Sequence, residues 1–148
     1  QDFGLGKAIT QQGEYVLPSE NVESNHEKIR TIAVNIFDSN SWLETVRQVT
    51  EWTHGYVTYD TAYYPDTFST RHTLESKRGV CDEFAVLSAA MLRAKEIPVR
   101  FAVGVVYSGE SWGNHSWIQV FHPQKGWVPV DPTYGEATLI DGTRLNSW

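Results

Sequence analysis

The hydrophobic period of this chain changes at Pro98, and that change limits the folds it can adopt. Before Pro98, apolar residues recur three and four positions apart, the spacing that places them on one face of a helix. After Pro98, three runs are rich in β-branched and aromatic residues, as strands are. Helices followed by strands predict an α+β fold with an antiparallel sheet.

The helical part is expected to contain four helices. Ser41 or Asn40 can cap the second, and Pro98 ends the fourth near Lys95. A loop or short strand over 54–68 separates the second helix from the third. The predicted helices cover residues 22–36, 42–53, 70–76 and 81–95.

The whole chain, 1–148, is predicted to be one domain, with residues 1–21 as an extended lead-in. The sequence starts at Gln1 and stops at Trp148 after a polar segment, so we expect it to be a piece of a longer protein.

Charge and hydropathy limit the partners. The net charge is −6 and no basic stripe is visible, which argues against nucleic acid. No apolar run reaches the roughly 18 residues of a membrane span, so no membrane contact is expected within this segment. One cysteine does not indicate a compartment. The sequence is compatible with an extracytoplasmic location, or with tethering to a membrane through parts outside this chain. It leaves the oligomeric state open.

The three strand-like runs cover residues 99–107, 115–121 and 127–131. The segment 122–126 has the length of a hairpin connection between the last two and ends in glycine. One register places four aliphatic residues on the same sheet face, whereas a slip by one residue would divide them between both faces. That register pairs Phe121 with Trp127, Val120 with Val128, and Ile118 with Val130.

The same register predicts a His–Asp pair. Trp117 falls opposite Asp131, which makes His115 a diagonal neighbour of Asp131 on one face. Diagonal neighbours lie about 7–8 Å apart, within reach of an imidazole and a carboxylate.

The only cysteine, Cys81, lies at the predicted start of the fourth helix. The positive end of the helix dipole favours thiolate there, and an imidazole can stabilise the thiolate and later donate a proton. An acid on the far ring nitrogen fixes the tautomer. Asp82 and Glu83 suit the first turn but oppose thiolate formation, and they can also be read as solvated cap residues.

These motifs resemble the transglutaminase-like superfamily of papain-fold cysteine enzymes, and its microbial branch in particular. "RGVCDEFAVLSAAMLRAKEIPVRFAVGVVY" is similar to the nucleophile block of that family, "NHSWIQVF" to its His block, and "GWVPVDPTYG" to its Asp block. The resemblance covers about two fifths of the chain. It implies a papain-like fold with Cys81 as nucleophile, His115 as acid and base, and Asp131 as orienting carboxylate.

Two positions depart from the family pattern. Asp82 stands where animal members tend to carry Trp, and Glu96 where the family usually has Gly. Nothing resembles the calcium sites or accessory domains of animal crosslinking enzymes. We therefore expect a protease-like hydrolase of peptide or side-chain amides that acts through a thioester. The alternatives are a crosslinking transglutaminase and a non-catalytic protein-binding module on the same fold.

Other site residues are less specific. The backbone N–H of Cys81 is one expected oxyanion donor. Tyr59 resembles the tyrosine that ends the family's helix-to-strand passage and is the second candidate, with Trp52 and Tyr56 as competitors. Trp112 and Trp117 are candidate walls of a substrate groove. Trp112 lies in the polar segment 108–114, which is also read as an ordinary hairpin loop.

No metal and no cofactor are predicted. His122 would fall on the opposite sheet face from His115, and no pair of close ligands such as C-x-x-C exists. The expected partner is a protein or peptide substrate.

Overall fold

The computed structural model describes residues 12–137, in which helices precede the main sheet as predicted. The α+β fold is confirmed. A short 3-10 turn, Gly13–Val16, comes first. The helices are α1 (Glu27–Ile36), α2 (Trp42–Tyr56), α3 (Thr70–Ser76) and α4 (Cys81–Ala94). The strands are β1 (Thr58–Tyr59), β2 (Arg78–Gly79), β3 (Val99–Tyr107), β4 (Trp112–His122), β5 (Gly126–Asp131) and β6 (Glu136–Ala137).

The main sheet is antiparallel, with the order β3-β4-β5-β6. Its central hairpin has the predicted register, because only that register buries all four aliphatic side chains. The observed pairs are Phe121 with Trp127, Val120 with Val128, and Ile118 with Val130. A second, parallel pair joins β1 to β2.

The helix α4 forms the centre of the core. Every residue from Glu83 to Leu92 is buried, and α4 contacts the other three helices as well as β3 and β4. Ala85, Ala89 and Ala90 allow these neighbours to approach closely. Within residues 12–137, no helix combines the length and the hydropathy needed to cross a bilayer.

The predicted start of the first helix is wrong. Val22 lies in a turn, where it and Ser19 exchange two backbone hydrogen bonds of 3.0 Å, and α1 begins only at Glu27. His26 caps α1, since its side chain accepts from the N–H of Lys28. Val22 is buried without being helical, which explains why it matches the helical spacing. The second helix also continues past Thr53 to Tyr56.

The predicted hairpin loop 108–114 is too long. The strand β4 already begins at Trp112, and the turn is closed by the N–H of Ser108, which donates to the carbonyl of Ser111. The segment therefore extends the β3–β4 ladder instead of forming a loop. The positive φ of Gly109, 96°, makes this tight turn possible.

Glu96 ends α4 in the left-handed conformation, with φ 62°. The N–H of Ile97 donates to the carbonyl of Leu92, which is the long hydrogen bond of a Schellman motif. The left-handed position of that motif favours glycine, so the structure explains why this family usually has Gly where this chain has Glu96.

Candidate active site

Cys81 is the first residue of α4, as the sequence predicted. The preceding Val80 is the N-cap, and its N–H donates to the Glu83 carboxylate over 2.7 Å. Valine has no side-chain acceptor, so Glu83 supplies the side-chain half of this cap. The N–H of Cys81 is one of the helix-start donors that no intrahelical carbonyl can satisfy. A half-buried thiol and a backbone donor thus occupy the same helix end.

Glu83 corrects the interpretation of a solvated cap residue, because it is only 2% exposed. It fills the space beside Gly79, where an added Cβ would lie 2.3 Å from Glu83 Cγ. Burial raises the pKa of Glu83, while the hydrogen bond from Val80 acts in the opposite direction. The glycine two residues before the thiol is therefore required for the packing of this acid.

His115 and Asp131 form the hydrogen-bonded pair that the hairpin register predicts. His115 Nε2 lies 2.6 Å from Asp131 Oδ2, and the imidazole is only 8% exposed. The other carboxylate oxygen, Oδ1, accepts the N–H of Thr133 over 3.1 Å. With Nε2 bonded to the acid, Nδ1 is the ring position that can exchange a proton with another group.

Asp82 connects the helix that carries Cys81 to the strand that carries His115. Its Oδ1 accepts a 2.5 Å hydrogen bond from the hydroxyl of Ser116. The two bonded residues directly follow Cys81 and His115 in the chain, so the bond restrains the distance between α4 and β4 at this point. Asp82 is therefore more than a solvated cap residue. The contact between the Cys81 sulfur and the imidazole stays a prediction.

A profile of the transglutaminase-like superfamily matches residues 30–132 of this chain. The chain belongs to the transglutaminase-like superfamily. Its members are typically cysteine-dependent enzymes.

Two bacterial proteins are similar to this chain in sequence. The uncharacterised protein YebA of Bacillus subtilis (strain 168) is 26% identical, in a match that covers 76% of this chain and 18% of YebA. A protein-glutamine gamma-glutamyltransferase of Pseudomonas aeruginosa is 32% identical, in a match that covers 43% of this chain and 11% of that protein. The transglutaminase-like chain thus spans less than a fifth of either relative.

Solved structures share the fold. A candidate cysteine protease from Cytophaga hutchinsonii has a TM-score of 0.76 at 22% identity, over 91% of this chain and 46% of that one. The periplasmic domain of TgpA from Pseudomonas aeruginosa has a TM-score of 0.61 at 22% identity, over 80% of this chain and 45% of that one. These likenesses support the papain-like arrangement of helices and sheet.

Two aromatic rings hold the imidazole of this transglutaminase-like site. Trp117 stacks on His115 with ring centroids 5.9 Å apart, and Tyr134 lies 5.5 Å away. Gly104 accommodates Trp117, since an added Cβ would lie 2.8 Å from the indole. Trp117, predicted as a groove wall, borders a cavity of about 280 Å³ together with His115 and Asp131. Tyr134 was not among the predicted site residues, although it lies inside the Asp block.

Tyr59 is the aromatic candidate that lies beside the first turn of α4. Its ring lies 6.3 Å from Phe84, on the first turn of α4. Burial raises the pKa of Tyr59, and the charges of Cys81 and Tyr134 act in the same direction.

The two competitors of Tyr59 have structural partners instead. Trp52 packs edge-on against Phe37, and Tyr56 stacks on Trp52 at 4.6 Å. The Tyr56 hydroxyl donates to the carbonyl of Leu74 over 2.7 Å. These contacts favour Tyr59 as the second oxyanion candidate.

Trp112, the other candidate groove wall, lies at the end of the β3–β4 hairpin. It is 70% exposed, pairs with Tyr107, and is an odd number of residues from His115 along the same strand. Its side chain therefore belongs to the other sheet face. The structure separates Trp112 from the His115 cavity and leaves it exposed at the hairpin end.

The remaining histidines have local partners. His122 is buried edge-on against Trp42 at 4.7 Å, on the sheet face opposite His115. His72 lies 2.5 Å from the hydroxyl of Tyr63, and His54 lies 3.1 Å from the carbonyl of Thr133. In the part of the chain that the structure describes, no group of three His, Cys, Asp or Glu side chains is arranged to hold a metal ion.

Proposed function

We propose that this protein is a cysteine-dependent hydrolase of peptide or side-chain amides, with a Cys81–His115–Asp131 triad. One observation carries the proposal: the Asp131 carboxylate is bonded to Nε2 of His115, which makes Nδ1 the proton-exchanging nitrogen. The bond between Asp82 and Ser116 supports it further, because it ties the helix of the nucleophile to the strand of the base.

The reaction begins with transfer of the thiol proton to His115 Nδ1. The sulfur of Cys81 then attacks the amide carbonyl, and the carbonyl oxygen becomes an oxyanion that accepts hydrogen bonds from the Cys81 N–H and the Tyr59 hydroxyl. His115 returns its proton to the departing amine as the C–N bond breaks, leaving a thioester. Water, deprotonated by the same imidazole, attacks the thioester and releases the acid and the thiol.

The two acids next to Cys81 do not prevent this chemistry. Asp82 accepts the hydroxyl of Ser116, and Glu83 accepts the N–H of Val80, so each carboxylate is directed at its own partner. Adjacent helix positions also point about 100° apart. The helix dipole and His115 can therefore favour the thiolate.

Two alternatives remain distinct from hydrolysis. A crosslinking transglutaminase would use an amine in place of water, and the P. aeruginosa relative is named as a glutamyltransferase of this kind. A non-catalytic binding module on the same fold would carry an unreactive Cys81. The presence of all three residues of the proposed triad argues against the binding module.

One profiling experiment separates these functions. Peptides and glutamine amides are supplied with a primary amine, and peptide cleavage, ammonia release and amine incorporation are measured together. We expect cleavage or ammonia release without amine incorporation, and no signal from Cys81→Ala. Amine incorporation as the main product would make the protein a transglutaminase. If iodoacetamide reacts with Cys81 no faster than with a free thiol, and no product forms, the protein is a binding module.

We further propose that the chain is one catalytic domain whose substrate is a protein or peptide. Helices and sheet share a single core around α4, which supports one domain for the described residues. The relatives are much longer than this chain, so the activity proposed here concerns this domain.

A further inference from the structure

A cavity of about 340 Å³ lies between the first turns of α4 and the edge strand β3. Its volume is at the small end of the range of roughly 300–1,000 Å³ for ligand sites, so it suits one side chain better than a large ligand. The apolar residues that line it are Val22, Phe68, Ala85, Val86, Phe101 and Val103.

Part of this apolar lining is exposed. Phe68 is 44% exposed, Phe101 41% and Val103 80%. Single exposed apolar residues are normal, but several around one concave site indicate a surface that binds something apolar. Covering these side chains would therefore contribute favourable free energy.

Three of the polar residues that line the cavity already have hydrogen-bond partners, whereas Glu20, which also lines it, is exposed. The carboxylate of Asp82 accepts the hydroxyl of Ser116, and the carbonyl of Asn21 accepts both the N–H and the hydroxyl of Thr70. A polar ligand would have to compete with these hydrogen bonds, whereas an apolar side chain would leave them intact. The chemistry of the lining thus favours an aliphatic or aromatic occupant.

The cavity lies beside the helix turn that carries the proposed nucleophile. Asp82 is the neighbour of Cys81 in the chain, and Ala85 lies one helical turn after Cys81 on nearly the same face. If a peptide acyl group is bound to the Cys81 sulfur, the substrate side chain next to the reactive carbonyl would therefore lie beside this cavity. We propose that the cavity binds an apolar side chain of the peptide substrate, next to the reactive carbonyl. This proposal rests on the proposed function.

The test uses peptide chloromethyl ketones, in which the thiolate displaces chloride and a C–S bond forms. Three acetylated reagents carry Leu-Gly, Gly-Leu or Gly-Gly before the reactive group, and their alkylation rates at Cys81 are compared. The better leucine reagent should react at least about 10-fold faster than Gly-Gly, as expected for a side chain in an apolar pocket.

Variants of the lining residues then test whether the preference for leucine arises in this cavity. Val103→Asp places a charge in the lining and should bring the ratio of the leucine to the Gly-Gly rate close to one. Phe101→Ser should lower the ratio too. Val34→Asp, on an exposed position of α1 that is 68% exposed, is the matched control and should keep the ratio.

Each failure has a separate meaning. If iodoacetamide reacts rapidly with Cys81 but leucine brings no advantage, or if both lining variants keep the advantage, the cavity assignment is wrong while the proposed nucleophile stands. If iodoacetamide reacts no faster than with a free thiol, both proposals fall. If Val103→Asp only converts a dimer to a monomer in sedimentation and leaves the ratio unchanged, the surface joins two copies, and the substrate assignment is overturned.

Discussion

Replacement of Asp131 by asparagine tests the proposed triad most directly, because the structure predicts which way the new amide will face. The Oδ1 of Asp131 accepts the N–H of Thr133, and Oδ2 contacts His115 Nε2. Asparagine can keep its oxygen at Thr133 only by turning its NH₂ group toward the imidazole. Nε2 must then accept a hydrogen bond, and the ring proton moves to Nδ1, where it blocks transfer from the thiol.

The expected loss is smaller than in a serine enzyme. There the wrong tautomer costs about 10⁴-fold, because the alcohol depends on its base. A free thiol ionises near pH 8.5, so part of the nucleophile forms without the base. The loss of a charge-assisted hydrogen bond of about 1.5–3 kcal/mol also lowers the rate. We expect a loss on the order of 10–10³-fold, or about 1.4–4 kcal/mol at 1.36 kcal/mol per decade.

The assay compares turnover with iodoacetamide alkylation over a range of pH. In Asp131→Asn, the alkylation deficit should shrink above about pH 8.5, where free thiols ionise. The turnover deficit should persist, because His115 must still protonate the leaving amine. Asp66→Asn, an exposed replacement of the same type, is the control and should keep both rates. Full turnover by a folded Asp131→Asn protein would refute the reasoning and leave a Cys81–His115 dyad.

Three further variants test other parts of the structure. Tyr59→Phe should lower kcat by about 10²–10³-fold if its hydroxyl binds the oxyanion. Tyr56→Phe should instead reduce the free energy of unfolding by about 0.5–1.5 kcal/mol. Equal kcat values for the wild type and Tyr59→Phe would exclude the Tyr59 hydroxyl as an oxyanion donor. Burial raises the pKa of Glu83 above its usual 4.5, so the stability that this group contributes is fully present below pH 4.5 and is lost as pH rises through the raised pKa. The urea midpoint of Glu83→Gln should therefore rise relative to that of the wild type as the pH increases from about 4 to about 8. A difference between the two midpoints that does not depend on pH would contradict this prediction. Glu96→Gly should raise the free energy of unfolding by about 0.5–1 kcal/mol, because glycine removes the strain of the left-handed conformation. Lys95→Gly, at a residue with negative φ, should lower the free energy of unfolding. Thermal melts of both variants test this prediction.

Local patterns in the sequence were sufficient for the hairpin and for the start of α4. The register from Ile118 to Val130 follows from burial of one sheet face, because a slip by one residue would expose that whole set of side chains. The same register predicts that His115 meets Asp131, since that pairing is a consequence of strand geometry. Pro98 and the acids of the first turn define α4 within a few residues. These features depend on neighbours in the chain or on one strand partner.

Tertiary structure alone decided the contacts between residues that are far apart in the chain. Asp82 meets Ser116, and β1 pairs with β2, where the packing of the helices and the sheet brings these distant segments together. The burial of Glu83 is the clearest case. An acid in the first turn stabilises a helix equally well in water or in the core, and no local pattern distinguishes the two. The space left by Gly79 and the packing around α4 make that choice, because burial depends on the atoms that surround a side chain and not on its place in the sequence.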